Sequence, residues 1–313
     1  MRLYLLGSGE FAVPTFEHLR RRHEVLAVVS QPDRPAGRKR MLTPTAVGRW
    51  AEEHALELRR AGDANDLAFV SEIAARPADA AVVIAFGQKL GEPLIEALGP
   101  FVINLHGSLL PRYRGAAPIN WAMIRGETAT GLSVIGLAQR MDAGMIYGQV
   151  ASPIDPAETA GELHDRLALF GPDLVEDVLQ DFSEDRLEGK VQDDSLASRA
   201  PKLTKADGAI DFNDTADAVR CRIHGLTPWP GATARWQRQE DGKVQALNLR
   251  RVEARPGSVE AAPGAVLADQ CVAVQDGAVR LLEVQLSGGK AMPIQQFVHG
   301  HALTPGDRMI QQV

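Results

Sequence analysis

Short apolar runs recur through the first half of the chain: Leu3 to Leu6, Val25 to Val29, Ala80 to Ala85, Val102 to Leu105, Leu132 to Leu137 and Ile146 to Ile154. Amphipathic stretches with apolar residues at helical spacing, such as Ala46 to His54 and Leu67 to Ala75, lie between them. This alternation predicts an α/β fold with a Rossmann-like, doubly wound and mainly parallel sheet, whose ligands lie beyond the carboxyl ends of its strands. Glu158 to Phe182 reads as one long amphipathic helix, and the polar stretch that follows, Ser183 to Lys205, has little periodicity. The expected division is therefore a catalytic domain over 1–188, a linker over 189–206 and a second domain over 207–313. In that second domain a short helix, Ala216 to His224, precedes alternating runs at Ala232 to Trp236, Val244 to Leu249, Val272 to Val274 and Val279 to Leu286. Gly, Pro and Asp-Gly break these runs, which predicts a small antiparallel, OB-like β-barrel.

Composition narrows the function classes. A chain of 313 residues exceeds one comfortable core, in line with two domains. The hydrophobic share of 45% and charged share of 24% are those of an ordinary globular protein. A formal net charge of −6 argues against indiscriminate polyanion binding, so any nucleic-acid contact has to be local. Cys221 and Cys271 are the two cysteines. They form no CxxC, and the pair Cys221 and His224 lacks further ligands beside it, so neither a disulfide framework nor a zinc site is expected. The apolar start Met1 to Leu6 is too short for a signal segment, and no window reaches the roughly 20 apolar residues of a membrane span. A cytoplasmic protein without a membrane partner is expected, and a monomer.

Two segments carry candidate chemistry. Gly7-Ser-Gly-Glu-Phe-Ala12 has the G-x-G-x-x-A form of a dinucleotide turn, but the second strand runs into Ser30-Gln-Pro without the acidic residue that would hold a ribose. A tight strand-to-helix turn is the better reading. In Val102-Ile-Asn-Leu-His106, strand alternation places Asn104 and His106 on one face and Ile103 and Leu105 on the other. Alone, a buried Asn or His is more often structural than catalytic. Together, at the carboxyl end of a parallel strand, an amide donor and an imidazole are the groups wanted to stabilise an oxyanion and manage a proton. Asp142, in Met-Asp-Ala-Gly144 after the next strand, could orient that imidazole or relay a proton through water.

The flanking residues carry a resemblance. Asn104-x-His106, Ser108-Leu-Leu-Pro111, Arg112-x-Arg-Gly-Ala-Ala-Pro118 and Asp142-x-Gly144 resemble the signature of formyltransferases that use 10-formyltetrahydrofolate. Gln31 to Pro44 resembles the basic loop, and Glu10 to Pro14 the opening, of the members acting on methionyl-tRNA. Lys202 to Asp211 and Pro228-Trp-Pro-Gly231 resemble their stretches at the domain junction, so the likeness spans nearly the whole chain. The resemblance implies 10-formyltetrahydrofolate as formyl donor, initiator methionyl-tRNA as acceptor and no metal. It implies Asn104, His106 and Asp142 as catalytic residues, and a folate site along Ser108, Leu109, Leu110 and Pro111 with Phe86, Gly87 and Gln88 as a second wall. Backbone groups of Ser108 to Pro111 would pair with the pterin, and Ser108 equally suits a turn cap.

Arg34, Arg38, Lys39 and Arg40 face only Asp33 as counter-charge, and Pro32, Pro35 and Gly37 deny their loop regular structure. Such a loop suits phosphate contact, and Arg38 matches the family's functional loop arginine. In the second domain Arg220, Arg222, Arg235, Arg238, Lys243, Arg250 and Arg251 are scattered candidates. Two relatives in chemistry stay open: a sugar-nucleotide N-formyltransferase, towards which Asn120-Trp121 and Asp142-Ala-Gly144 lean, and a formyltetrahydrofolate hydrolase, which would need neither loop nor barrel. A nucleotide-binding module with a structural trio is the non-enzymatic alternative.

Overall fold

The computed structural model describes residues 1–37 and 40–311. Contacts between residues group the chain into two units: 1–115, 131–152 and 164–199 form the first, and 116–130, 153–163 and 200–313 the second. The chain passes to the second unit for the last time at 199–200, inside the expected 189–206 linker. Two earlier excursions, 116–130 and 153–163, also belong to the second unit.

The first unit is built on a seven-stranded sheet in the order Ile146–Pro153, Ala129–Gly136, Val102–His106, Ala80–Ile84, Arg2–Gly7, Glu24–Ser30, Leu58–Arg60. The four strands from Val102–His106 to Glu24–Ser30 pair in parallel, Leu58–Arg60 joins them in parallel, and Ala129–Gly136 runs antiparallel to Val102–His106. The central strands are buried along nearly their whole length, as expected where helices cover both faces. Gly7 turns the first strand into the helix Val13–Arg22. A Cβ there would stand 2.7 Å from the Phe16 ring and 2.9 Å from the Ile84 carbonyl oxygen, so the glycine serves a tight turn.

Three expectations need correction. Glu158 to Phe182 is two helices, Ala160–Ala168 and Gly171–Ser183. Pro172 sits in the first turn of the second helix, where its missing N–H costs nothing; in a continuous helix its ring would clash with the carbonyl four residues earlier. The 31–44 loop is not irregular: Arg34–Ala36 and Met41–Thr43 pair as an antiparallel hairpin, with Gly37 at φ +69° in the turn. Pro35 stands opposite Leu42 in this isolated pair, where an absent donor is tolerated. Residues of the supposed linker are also pinned rather than free. Lys190 and Ile146 exchange backbone hydrogen bonds of 2.8 and 2.9 Å, and Ser198 accepts from the Arg114 and Tyr113 amides through its carbonyl and hydroxyl.

In the second unit the strands run in the order Cys271–Val274, Gly277–Leu286, Val244–Pro256, Ala232–Gln237, Arg308–Gln311, all antiparallel. Residues 264–266 bridge the two outer strands: Gly264 donates to Ala273 and accepts from Met309, which nearly closes a barrel. Trp236 and Phe297 meet edge to face in its core at 5.5 Å. The Asp307 carboxylate, 2% exposed, accepts from Trp236 Nε1 and from the amides of Gln239 and Thr304, so its burial is compensated. The helix Ile294–His301 and the last strand carry too few residues to have stood out in the pattern. No helix among the described residues is long and apolar enough to cross a membrane.

His224 is fully buried on the helix Ala216–Gly225. Its Nε2 accepts from the Val252 amide (3.1 Å), so Nδ1 carries the hydrogen and donates to the Pro156 carbonyl (3.1 Å). Burial, aided by the charges of Arg220 and Arg251, pushes its pKa down to about 4. The unfolded chain takes up this proton first, so stability is full above pH 6.5 and is lost as pH falls towards 4. Between those limits the cost is roughly 3 kcal/mol. Denaturant unfolding of the second unit at pH 7.5 and 4.5 should therefore lose stability, and His224→Gln, a neutral donor and acceptor, should remove most of that loss. An unchanged pH dependence in the variant would show that another group is responsible.

Candidate active site

Asn104 and His106 occupy one face of Val102–His106, opposite Ile135 and Ser133 of the antiparallel neighbour. His106 is 6% exposed, and its Nε2 lies 2.9 Å from the Tyr113 carbonyl oxygen. A carbonyl only accepts, so Nε2 carries a hydrogen and the ring's other nitrogen is the one left for chemistry. That nitrogen, Nδ1, faces Asp142 Oδ2 at 3.8 Å. The amide of Asn104 has no hydrogen-bond partner among the described residues, and the residue is only partly buried.

Asp142 reaches this position through a strained turn. Its backbone is left-handed, φ +53°, a region that favours glycine. Oδ2 accepts from the Gly115 amide at 2.8 Å. Two residues on, a Cβ at Gly144 would overlap the Gly136 carbonyl oxygen, which is why this residue is glycine. Gln192 bonds the same turn: its Nε2 donates to the carbonyls of Asp142 and Gly144, both at 2.8 Å. Nothing in the sequence singles out Gln192, because a lone Gln in a polar stretch carries no spacing signal.

The loop after His106 is bonded within itself. Ser108 Oγ donates to the Arg112 carbonyl (2.7 Å), as a turn cap does. Ser133 Oγ donates to the Ser108 carbonyl (2.7 Å) and accepts from the Leu110 amide (3.0 Å), while Gln149 Nε2 donates to the Leu110 carbonyl (3.0 Å). The Leu109 carbonyl accepts from Arg112. Leu110 is buried, Leu109 and Pro111 partly so. At 85–88, Phe86 is buried and its carbonyl accepts from Gln31 Nε2 and Ser8 Oγ. Gly87 has φ +81°, and the Gln88 side chain spans the Ala61 carbonyl and the Ala64 amide. A groove of about 750 Å³ lined by Ala78, Phe101, Gly136 and Tyr147 lies at the other end of these strands and holds none of the trio.

Of the basic loop, Arg34 and Arg40 are exposed, whereas Arg38 and Lys39 lie outside the described residues. Asp33 is not their counter-charge, as its carboxylate pairs with Arg60 at 2.7 Å. Arg34 donates to Gln31 Oε1 and has no carboxylate partner among the described residues. In the second unit Arg220, Arg238, Arg250 and Arg251 pair with carboxylates, and Arg222 donates to the Ala209 and Asp207 carbonyls. Arg235 and Lys243 are exposed without a partner among the described residues. The neighbouring hydroxyls of Ser108 and Ser133 are both engaged with carbonyls.

An imidazole backed by a carboxylate, beside an open amide at the carboxyl end of a sheet, is an arrangement that can hold an oxyanion and move a proton, as a group transfer requires. The Formyl transferase model matches residues 1–179, and the model of its C-terminal domain residues 202–302. The methionyl-tRNA formyltransferase of Geobacter sulfurreducens is 39% identical over 99% of this chain and 96% of its own length. That of Thermus thermophilus is 37% identical over 99% and 100%. The chain belongs to the methionyl-tRNA formyltransferase family. An N-formyltransferase from Helicobacter canadensis, solved with folinic acid and dTDP-3-aminofucose, shares the fold at a TM-score of 0.65, with 15% identity over 93% of this chain and 99% of that one.

Replacing Asn104 by Ala should lower kcat for formyl transfer by about 10²–10³ with little change in KM, the loss typical of one oxyanion donor. Steady-state rates with the refolding-checked variant decide it; a loss smaller than about tenfold would remove Asn104 from the chemistry.

Proposed function

We propose that the chain transfers the formyl group of 10-formyltetrahydrofolate to the free amino group of initiator methionyl-tRNA, giving the N-formylmethionyl-tRNA used to start translation. The observation that carries this reading is the orientation of His106, with Nε2 committed to Tyr113 and Nδ1 facing Asp142. The neutral methionyl amine attacks the formyl carbon. The resulting oxyanion is held by the Asn104 amide and by the N–H of a protonated His106, and Asp142 balances the imidazolium charge. The bond from the formyl carbon to the folate nitrogen then breaks. The proton released by the amine passes, through Asp142 or a bridging water, to that nitrogen, so the protein ends each turnover unchanged.

Leu109 and Pro111, only partly buried, offer the folate an apolar wall, and most polar backbone groups of Ser108 to Leu110 already have partners. Polar pairing with the pterin falls instead to the backbone at Gly87 and Gln88, opposite Phe86. Arg34 and Arg40, with Arg38 and Lys39 beside them in the sequence, meet acceptor-stem phosphates. The cytoplasm supplies both substrates.

The test offers labelled 10-formyltetrahydrofolate with charged initiator tRNA or with an aminosugar nucleotide, in separate reactions. kcat/KM for the tRNA should exceed that for the sugar by about a hundredfold or more, roughly 2.7 kcal/mol. Preference for the sugar, or release of formate without any acceptor, would overturn it.

A further inference from the structure

We propose that Gln192 is a positioning residue that fixes the Asp142 carboxylate opposite His106. The proposal rests on the trio's role in formyl transfer. Gln192 is 9% exposed, and each of its polar positions is used. Oε1 accepts from Arg114 Nε (3.0 Å) and Nη2 (2.7 Å), while Nε2 donates to the carbonyls of Asp142 and Gly144. A guanidinium only donates and a carbonyl only accepts, so the amide has one possible orientation. Only an amide supplies two donors and a two-fold acceptor in one plane at this place.

The turn needs such a brace. Asp142 is held in a left-handed conformation, which persists only where surrounding contacts over-determine it. Gln192 grips the turn at Asp142 and Gly144, on both sides of Ala143. The other end of the frame reaches the carboxylate itself: Arg114, which holds Gln192, precedes Gly115, whose amide donates to Asp142 Oδ2. Arg114 is fixed in turn by Asp194 (2.9 Å), and Arg140, at the start of the same turn, bonds that carboxylate too (2.8 Å). The Asp142 backbone and its carboxylate are thus tied to one bracket, with Gln192 at its centre.

The decisive variant is Gln192→Glu, which keeps shape and the Arg114 contact but places a lone pair where both donors were. Single-turnover formyl transfer at saturating substrates should fall about tenfold, with half-saturating concentrations of folate and tRNA within about twofold of wild type. In an Asp142→Ala background the same substitution should cost less than about twofold, because its effect passes through that carboxylate. Wild-type rates in Gln192→Glu, or the full tenfold loss in both backgrounds, would overturn the proposal. Should Gln192→Glu fold poorly, Arg114→Lys removes the fork while leaving Gln192 in place, and must show the same dependence on Asp142. The Gly115 amide resonance, shifted downfield by its carboxylate partner, reports the bracket without any substrate. Its loss in Gln192→Glu supports the positioning role even if wild-type protein fails to formylate methionyl-tRNA, and its persistence contradicts it.

Discussion

The hydrogen bond from His106 Nε2 to the Tyr113 carbonyl is the constraint on which the site turns. It is made inside one loop, between a strand residue and a carbonyl seven positions on, yet it settles which nitrogen can do chemistry. With Nε2 engaged, Nδ1 is the one atom of the ring that can meet a substrate or exchange a proton with Asp142. Tyr113 has φ +62°, a conformation non-glycine residues rarely adopt, and its amide is held by Ser198. The loop therefore carries backbone strain where the imidazole needs a fixed acceptor, as sites often do.

The carboxylate is delivered from the other direction. The antiparallel strand Ala129–Gly136 runs away from His106, with Gly136 opposite Ile103, and the turn that follows brings Asp142 back to the imidazole. Gly144 lets that turn close against Gly136, and Gln192 and Gly115 hold it. Each half of the imidazole–carboxylate pair is thus positioned by its own local frame, and the two meet at 3.8 Å. In the proposed reaction the open amide of Asn104 holds the developing oxyanion. It has no partner among the described residues to lose when the reaction starts, which is the condition for preorganised stabilisation.

How much of this the sequence displayed varied with the kind of interaction. The sheet strands were visible because buried parallel strands read as short apolar runs, and the shared face of Asn104 and His106 followed from period-two alternation. The break at Gly171-Pro172 was hidden, because both helices keep amphipathic periodicity across it and a proline is well tolerated in a first helical turn. The hairpin at 34–43 was hidden by its prolines, and the pairing of Asp33 with Arg60 by a separation of 27 residues. Gln192 was illegible for a deeper reason. Its partners are backbone carbonyls about 50 positions away and an arginine 78 away, and backbone acceptors leave no mark on the side chains around them. Polar composition alone made its segment look like a tether.

In the proposed reaction His106 presents Nδ1 because its Nε2 is bound as a donor. Nitrogen-15 NMR of protein labelled at histidine reads this directly, with His106→Gln used to assign the signal. A hydrogen on Nε2 of His106, donated to the Tyr113 carbonyl, is the expected result. An unprotonated Nε2, with the hydrogen resting on Nδ1 alone, would contradict it.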